Sequence, residues 1–303
     1  MTARIISTRS PAGQLLTVES LSSCISTAAY LDEIARHDGR GGYIVISDNV
    51  TGYDAALPPE KPGESTLFVS ILLRPSLPPS RGVMLTALSA LALAKAVEQH
   101  SPYKPQIAWV SDVYADSKKK IGEVTLHSAL HPSGLGFLYI IVNFALRITQ
   151  EFVGKLPDIV ESVFSQRQTT LTERIAGTLV SEFFALYEAT LPEEHAADFL
   201  EEYRKRSLLR DRHIRVVRNG RHIGVGVIGI DDNARLVVAP RRGKSFVLHS
   251  GSEIIDKKRT HLLTKLALSR AKAAAAKEKR AQKEQKKQAK KGPGQGTAQA
   301  EEQ

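Results

Sequence analysis

Three consecutive lysines, Lys118, Lys119 and Lys120, follow an apolar segment in the stretch IAWVSDVYADSKKKIGEV, residues 107–124. Two interpretations of this cluster are open. Either the lysines are the solvated side chains of a turn between two strands, or one of them is a cation directed at a phosphate or carboxylate in a cleft. A reaction at a phosphate needs such a cation, because it offsets the negative charge that gathers there.

The composition excludes several kinds of site. A single cysteine, Cys24, rules out an internal disulfide and a multi-cysteine metal site, and the nine histidines show no metal-ligand spacing. We therefore predict no metal-ligating residues. Hydrophobic residues make up 42% of the chain, and the apolar runs are interrupted before the roughly 20 residues that a membrane helix needs. These features predict a globular cytoplasmic protein with no membrane segment.

The net charge of +10 is concentrated in one segment. Residues 257–303 contain 14 basic and 4 acidic side chains, whereas residues 1–256 contain 28 of each. The tail is rich in Ala, Lys and Gln, so we predict a helical or disordered appendage at 257–303. Its basic part, 257–291, is either a solvating extension or an arm that binds nucleic acid through phosphates.

Local patterns predict the elements that must position these side chains. Within 22–36 a helix is predicted that begins near Ser26 or Thr27, either of whose hydroxyls is a suitable cap. Residues 48–66 lack periodicity and predict a long loop, a feature that is often functional. Further strands are predicted at 41–47, 66–75, 106–115, 120–130 and 136–146, and further helices at 83–99, 171–190 and 193–206.

The periodicity changes in the segment 213–255. Short β-branched runs are separated there by Asn219-Gly220, Asp231–Asn233 and Arg242-Gly243, which are typical turn sequences. This pattern predicts a small antiparallel barrel, which has too little core to fold without the preceding domain.

Four regions of the sequence contain recognisable motifs. They are STAAYLDEIA (26–35), LFVSILLRPSLPP (67–79), IAWVSDVYADSKKKIGEV (107–124) and, within 203–254, YRKRSLLRDRHIRVV, GIDDNARLVV and LHSGSEI. In this order they resemble the STNxxLKELA helix, the LYxSxxLRPxxPP strand, the KWPNDVYxxxRKLAGIL hairpin and the small C-terminal domain of the biotin–protein ligases and their lipoate-ligase relatives.

The resemblance implies an α+β fold, in which a mixed β-sheet flanked by helices, as in class II aminoacyl-tRNA synthetases, is followed by a small SH3-like barrel. The implied domains are a ligase-like domain at 1–205, the barrel at 206–256 and the tail. The implied reaction joins biotin to ATP, with Mg²⁺, to form biotinyl-AMP. The biotinyl group then passes to a lysine of a biotin carboxyl carrier domain. The resemblance leaves a homodimer open.

The resemblance also assigns site residues. When Gly122 is aligned with the family glycine, Lys119 matches the lysine that contacts the substrate carboxylate and phosphate, and it is the predicted catalytic residue. Asp112 is expected to orient the nucleotide or to hold Mg²⁺. The predicted ligand-binding residues are Ser26, Thr27, Gly52, Trp109, Asp112 and Gly122. Structural alternatives stay open, namely a solvated turn for Lys119, helix caps for the two hydroxyls, a core position for Trp109 and a strand end for Asp112.

The chain departs from the family at its GRGRxGR loop. The corresponding residues 51–57 read TGYDAAL, in which only Gly52 matches and Asp54 adds a carboxylate. Each lost charge-assisted contact costs roughly 1.5–3 kcal/mol. Three functions therefore stay open. The chain is an ATP-dependent biotin- or lipoate-type ligase with a remodelled site, a non-catalytic relative that binds a carrier domain or small acyl ligand, or a protein that binds nucleic acid or an acidic surface through its tail.

Overall fold

The computed structural model describes residues 3–37, 39–52, 57, 62–117, 119–152, 170–249, 254 and 261–262. Several sequence features lie outside this part of the chain. These are Lys118, Asp54 and most of the tail from residue 257.

The larger of two sheets confirms the predicted mixed sheet. Its strands are β1 (Ala3–Arg9), β2 (Leu15–Leu21), β3 (Tyr43–Ser47), β4 (Ser65–Leu73), β5 (Gln106–Ala108), β6 (Asp112–Tyr114), β7 (Lys120–Leu130) and β8 (Phe137–Ile148). Their order across the sheet is β1-β2-β3-β4-β8-β7-β6-β5. Strands β2 and β3 are parallel, and the other neighbouring pairs are antiparallel.

Helices cover both faces of this sheet. They are α1 (Thr27–Arg36), α2 (Gly82–His100), α3 (Leu171–Ala189) and α4 (Leu200–Lys205), with 3-10 turns at Pro79–Arg81, Gln150–Phe152 and Glu193–His195. Helix α1 packs on one face, hereafter the α1 face, and α2 and α3 pack on the other, the α2 face. The segment Pro79–His100 is long and apolar enough to cross a membrane, but 67% of its most apolar window is buried within this protein.

Strand alternation gives the two faces different chemistry. On β4, Leu67, Val69 and Ile71 join the core beneath α2 and α3. The intervening residues Phe68 and Ser70 point to the α1 face, where Ser70 contacts Thr27. The same strands therefore build a uniformly apolar layer on one side and a layer containing polar groups on the other.

The smaller sheet is antiparallel and is consistent with the expected SH3-like barrel. Its strands are β9 (Arg212–Arg218), β10 (Arg221–Ile230), β11 (Leu236–Pro240), β12 (Phe246–Leu248) and β13 (His261–Leu262), in the order β12-β11-β10-β9-β13. The predicted turn at Asn219-Gly220 is present, with positive φ at both residues. One hydrophobic core includes residues of both sheets, as expected for a module too small to fold alone.

Some predicted elements were wrong. The segment 106–115 is not one strand but β5 and β6, which pair with each other because the chain turns back after Ala108. The helix predicted at 193–206 is limited to α4. Residues 261–262 belong to the segment that was predicted to be helical or disordered, but they form a strand that pairs antiparallel with β9 at the edge of the smaller sheet. Strands β1 and β2 were not predicted.

Candidate functional site

The N-terminus of α1 is held by its cap and by a neighbouring loop. Ser26 is the N-cap, and its hydroxyl accepts a hydrogen bond of 3.2 Å from Ala29 N. Gly52 N donates to Ile25 O at 2.9 Å, and a Cβ at position 52 would lie 2.4 Å from that oxygen. Only glycine therefore fits here, and the predicted residues Ser26 and Gly52 lie beside each other.

A buried carboxylate fixes the same helix to the sheet. Glu19 on β2 is 4% exposed and accepts hydrogen bonds from Tyr43 on β3 at 2.7 Å and from Tyr30 on α1 at 3.1 Å. Burial, together with Glu19, raises the pKa of Tyr43. Both phenols therefore stay protonated and continue to donate to the carboxylate, which holds α1 in place.

Thr27 belongs to a neutral cluster beneath the helix, the hydroxyl–amide cluster of Thr27, Ser70, Asn143 and Thr125, in which the first three residues are buried and Thr125 is exposed. Ser70 Oγ lies 2.8 Å from both Thr27 Oγ1 and Asn143 Oδ1. Asn143 Nδ2 donates to Thr125 Oγ1 at 3.4 Å. Strand pairing places Thr125, Asn143 and Ser70 in one row across β7, β8 and β4, and Thr27 contacts this row from α1. Hydroxyl and amide groups can both donate and accept, so the cluster suits a neutral polar group of a ligand.

The adjacent row of the α1 face holds the charged cluster of Asp112, Lys120 and Glu123. Asp112 on β6 pairs directly with Glu123 on β7. Lys120 Nζ lies 2.9 Å from Asp112 Oδ1 and also contacts Glu123. Burial acts to lower the pKa of Lys120, but the two carboxylates outweigh it and raise that pKa. Lys120 therefore remains charged between two acidic groups.

Arg147 completes the balance of charge on this face. It is 4% exposed, and its Nη1 donates to the Lys120 carbonyl oxygen at 3.4 Å. With Lys120 it offsets Asp112 and Glu123, so these four residues have no net charge. A site that binds a polyanion such as ATP requires surplus cations.

Lys119 is directed elsewhere. Its Nζ lies 6.0 Å from the centroid of the Tyr103 ring, and its backbone N donates to Asp116 Oδ1 at 2.9 Å. The structure thus brings Lys120, and not Lys119, to Asp112. The catalytic role of Lys119 stays a prediction.

Trp109 and Gly122 lie towards the core. Trp109 is fully buried, and its indole Nε1 donates to Ala234 O in the smaller sheet at 2.7 Å. A Cβ at Gly122 would lie 2.8 Å from Leu93 Cδ2, so glycine lets β7 approach α2 closely. Tyr203 OH donates to Val110 O at 2.9 Å from the opposite side. Trp109 therefore occupies a core position, the structural alternative given for it above, and it presents no surface to a ligand.

The arrangement offers little to a metal ion. Within the described ranges, no three His, Cys, Asp or Glu side chains come together as a ligand set. Asp112, the carboxylate expected to hold Mg²⁺, already shares the ammonium group of Lys120 with Glu123. A Mg²⁺ ion at Asp112 would therefore compete with Lys120.

Sequence reasoning missed Ser70, Lys120, Glu123 and Arg147. A signal existed for two of them, because Ser70 and Arg147 interrupt strands that are otherwise almost entirely apolar. A polar side chain in a strand that is covered on both faces needs a hydrogen-bond partner. Ser70 and Arg147 therefore indicate which face of the sheet, the α1 face, contains polar groups.

Known proteins resemble this chain in part of its sequence and in its fold. No family model matches the chain. A segment of 157 residues is 25% identical to the bifunctional ligase/repressor BirA of Bacillus subtilis (strain 168) and to that of Bacillus spizizenii, covering 50% of this chain and 46% of each relative. The chain therefore spans about half the length of the curated relatives it matches.

Solved structures show the fold. A mutant biotin protein ligase of Aquifex aeolicus in complex with biotin superposes with a TM-score of 0.58 at 17% identity, covering 78% of this chain and 96% of that one. A biotin protein ligase-like protein of unknown function from Silicibacter sp. gives 0.56 at 12% identity, covering 80% and 96%. The predicted architecture is confirmed.

Proposed function

We propose that this chain, a divergent biotin–protein ligase-like protein, binds a biotin-type carboxylic acid on the α1 face of its larger sheet and serves a biotin carboxyl carrier domain. The observation that carries the proposal is the meeting of the hydroxyl–amide cluster with the charged cluster. Four predicted residues, Ser26, Thr27, Gly52 and Asp112, lie on or beside this face.

The chemistry of the face matches the three parts of such an acid. The hydroxyl–amide cluster offers donors and acceptors to a cyclic urea or a similar ring amide. Phe68 on β4 and Ala145 on β8 pair in the adjacent row and are covered by Leu57, so an aliphatic chain would pack against them in the place of Leu57. Lys120 and Arg147 supply cations at the carboxylate end, beyond that apolar surface.

The first candidate activity is ATP-dependent ligation. A carboxylate oxygen of the acid attacks the α-phosphorus of ATP, and pyrophosphate leaves. The carrier lysine amine then attacks the acyl carbon, AMP leaves, and the amine loses a proton. In this candidate Lys119 or Lys120 offsets charge at the α-phosphate, and Mg²⁺ would assist at the phosphates.

The second candidate is a non-catalytic relative that binds the acid and the carrier without forming an adenylate. The balance of charge favours it, because Lys120 is shared by two carboxylates and no arginine occurs between Gly41 and Ser70. Lys120 must leave Asp112 and Glu123 before it can contact a phosphate.

Calorimetry with biotin, alone and with ATP, followed by labelling of a carrier domain, separates the candidates. Biotin binding with ATP-dependent labelling identifies the ligase, and Lys119→Ala should then abolish labelling. Lys104→Ala is the matched control, since Lys104 is a neighbouring surface lysine that is 88% exposed. Biotin binding without labelling identifies the non-catalytic relative.

The binding site itself is tested separately. Asn143→Ala removes the amide that joins Ser70 to Thr125, so it should abolish biotin binding under either candidate. The absence of any biotin binding by the unaltered chain at millimolar concentration contradicts the proposal as a whole.

A further inference from the structure

The folded part of the chain is not uniformly neutral. Residues 210–249, which form most of the smaller sheet, contain nine basic and three acidic side chains. Residues 1–209 contain 19 basic and 23 acidic side chains, and residues 250–256 add two acidic ones, so residues 1–256 have no net charge when they are counted together. The net charge of residues 1–256 therefore conceals a second basic region besides the tail.

Topology gathers five of these cations at one end of the smaller sheet, hereafter the basic end. Strand β9 ends where β10 begins, and β11 ends beside that point because Pro240 pairs with Val225. The turns β9–β10 and β11–β12 therefore project from the same end. The cations in these turns, all exposed, are Arg218, Arg221, Arg241, Arg242 and Lys244.

One of these side chains is held in place. The Arg218 guanidinium carbon lies 3.8 Å from the centroid of the Phe246 ring, which joins the end of β9 to the start of β12. Stacking on a ring leaves the edges of a guanidinium free to donate hydrogen bonds. Arg218 therefore presents its fork to solvent with part of its conformational freedom already lost.

The acidic residues of the sheet lie at the opposite end. Asp231 pairs with Arg235, and Asp232 pairs with Arg204 of α4, both at 2.7 Å. That end also contacts the rest of the protein through the Trp109–Ala234 hydrogen bond. The basic end consequently points away from the larger sheet and its surplus of acidic groups.

We infer that the basic end binds the phosphate backbone of a nucleic acid without reading its sequence. Four of its five cations are arginines, whose planar forks match phosphate oxygens. Phe246, the aromatic ring at this end, has a face covered by Arg218, so it is not a free stacking platform for a base.

An acidic protein is the competing partner, and the surface suits it less well. Protein interfaces usually have an apolar centre inside a polar rim. At the basic end the residues between the strands, 218–221 and 241–244, are exposed and contain no large apolar side chain. The surface is therefore almost purely electrostatic, as expected for contact with a phosphate backbone.

The test is fluorescence anisotropy of the full chain with a labelled mixed-sequence DNA duplex over a range of salt concentrations. The variant replaces all five cations by glutamine, as R218Q, R221Q, R241Q, R242Q and K244Q. Each phosphate contact contributes about 0.9 to the magnitude of the slope of log K against log salt, so the loss of five contacts should reduce that magnitude by about 4.5. Binding at physiological salt should weaken by at least about tenfold.

A matched control removes five exposed cations from the larger domain, and its slope should stay unchanged. These substitutions are R4Q, R9Q, R36Q, R40Q and K104Q. A second variant, R241Q with R242Q and K244Q, keeps the Arg218–Phe246 contact. It tests the inference even if the variant with five substitutions does not fold. Its slope should fall by about 3, while the basic tail remains intact in every protein.

Three results would overturn the inference. The first is an unchanged slope in both basic-end variants, which would assign any binding to the tail. The second is an equal fall in the control, which would indicate a general charge effect. The third is tighter binding of polyglutamate than of duplex at equal charge concentration, which would identify an acidic protein as the partner.

Discussion

The two faces of the larger sheet are built by the same strands yet differ in chemistry. On the α2 face, β4 and β8 contribute only apolar side chains to the core, which also contains Phe183 and Leu91 of the helices. On the α1 face, the same strands contribute Ser70, Asn143 and Arg147. The difference indicates that the α2 face provides stability, and the α1 face is the one on which we propose the binding site.

The largest expected effect is on the α2 face. Phe144 is fully buried, and its ring contacts that of Phe183 with centroids 5.8 Å apart. Phe144→Ala should lower the free energy of unfolding by about 3–5 kcal/mol, because it leaves a cavity that the core cannot fill. Urea unfolding measures this change.

Phe144→Ala should change stability but not biotin affinity. Where the variant is still folded, its biotin affinity should match that of the unaltered chain, since Phe144 does not reach the α1 face. A specific loss of biotin binding would show that the two faces are not functionally separate.

A smaller effect is expected from the charged cluster. Lys120→Met leaves Asp112 and Glu123 facing each other without a cation, and should cost about 1–3 kcal/mol because the group is only partly buried. The raised pKa of Lys120 means that the unaltered chain keeps this stability below the ordinary lysine pKa and loses it at strongly alkaline pH.

The alkaline range and a double variant test this interpretation. The difference in unfolding free energy between the unaltered chain and Lys120→Met should shrink as Lys120 loses its proton. Adding Glu123→Gln to Lys120→Met should recover part of the loss. A constant difference at all pH values would show that the packing of Lys120, and not its charge, matters.

The choice between neighbouring lysines shows what the sequence could not predict. In a regular strand, Lys119, Ile121 and Glu123 would share one face. The pairing of β6 with β7 instead shifts between Val113 and Tyr114, so that Lys120 reaches the carboxylates. A one-residue shift of this kind exchanges the faces, and nothing in the local composition signals it.

Features set by local sequence were predicted well. The cap of α1, expected at Ser26 or Thr27 and found at Ser26, and the Asn219-Gly220 turn depend on the conformations that these residues favour. The apolar runs of β4 and β8 were also recognisable. The pairing of Asp112 with Glu123 and the burial of Trp109 depend on distant segments, and therefore required the structure.

The α2 face also contains a titratable group. His100 is fully buried, and its Nε2 lies 2.7 Å from Thr178 Oγ1 on α3. Burial, with a contribution from Arg174, lowers the pKa of His100. The folded state therefore binds a proton less readily than the unfolded state, so stability should fall as the pH drops below about 6.5.

Glutamine at position 100 tests this dependence. His100→Gln should remove a slope of at most about 1.4 kcal/mol per pH unit on the acidic side, measured by urea unfolding between neutral and acidic pH. The exposed residue His222 is the control, and His222→Gln should leave the slope unchanged. An identical acidic slope in His100→Gln would assign the pH dependence to other groups.

The smallest expected change in stability comes from two serine substitutions, one on each face of the sheet. Ser70 and Ser89 are both fully buried, but Ser70 contacts Thr27 and Asn143 on the α1 face, whereas Ser89 donates to Leu85 O within α2. Each alanine substitution should lower the free energy of unfolding by about 1 kcal/mol, the typical net value of one hydrogen bond.

Biotin affinity should distinguish these two substitutions. Ser70→Ala removes a group at the centre of the hydroxyl–amide cluster, so affinity should fall by about tenfold, the equivalent of 1.4 kcal/mol. Ser89→Ala should leave affinity unchanged, because its only described partner is a carbonyl of its own helix. Equal affinities in the two variants would place the ligand somewhere other than beneath α1, even if both proteins lose the same stability.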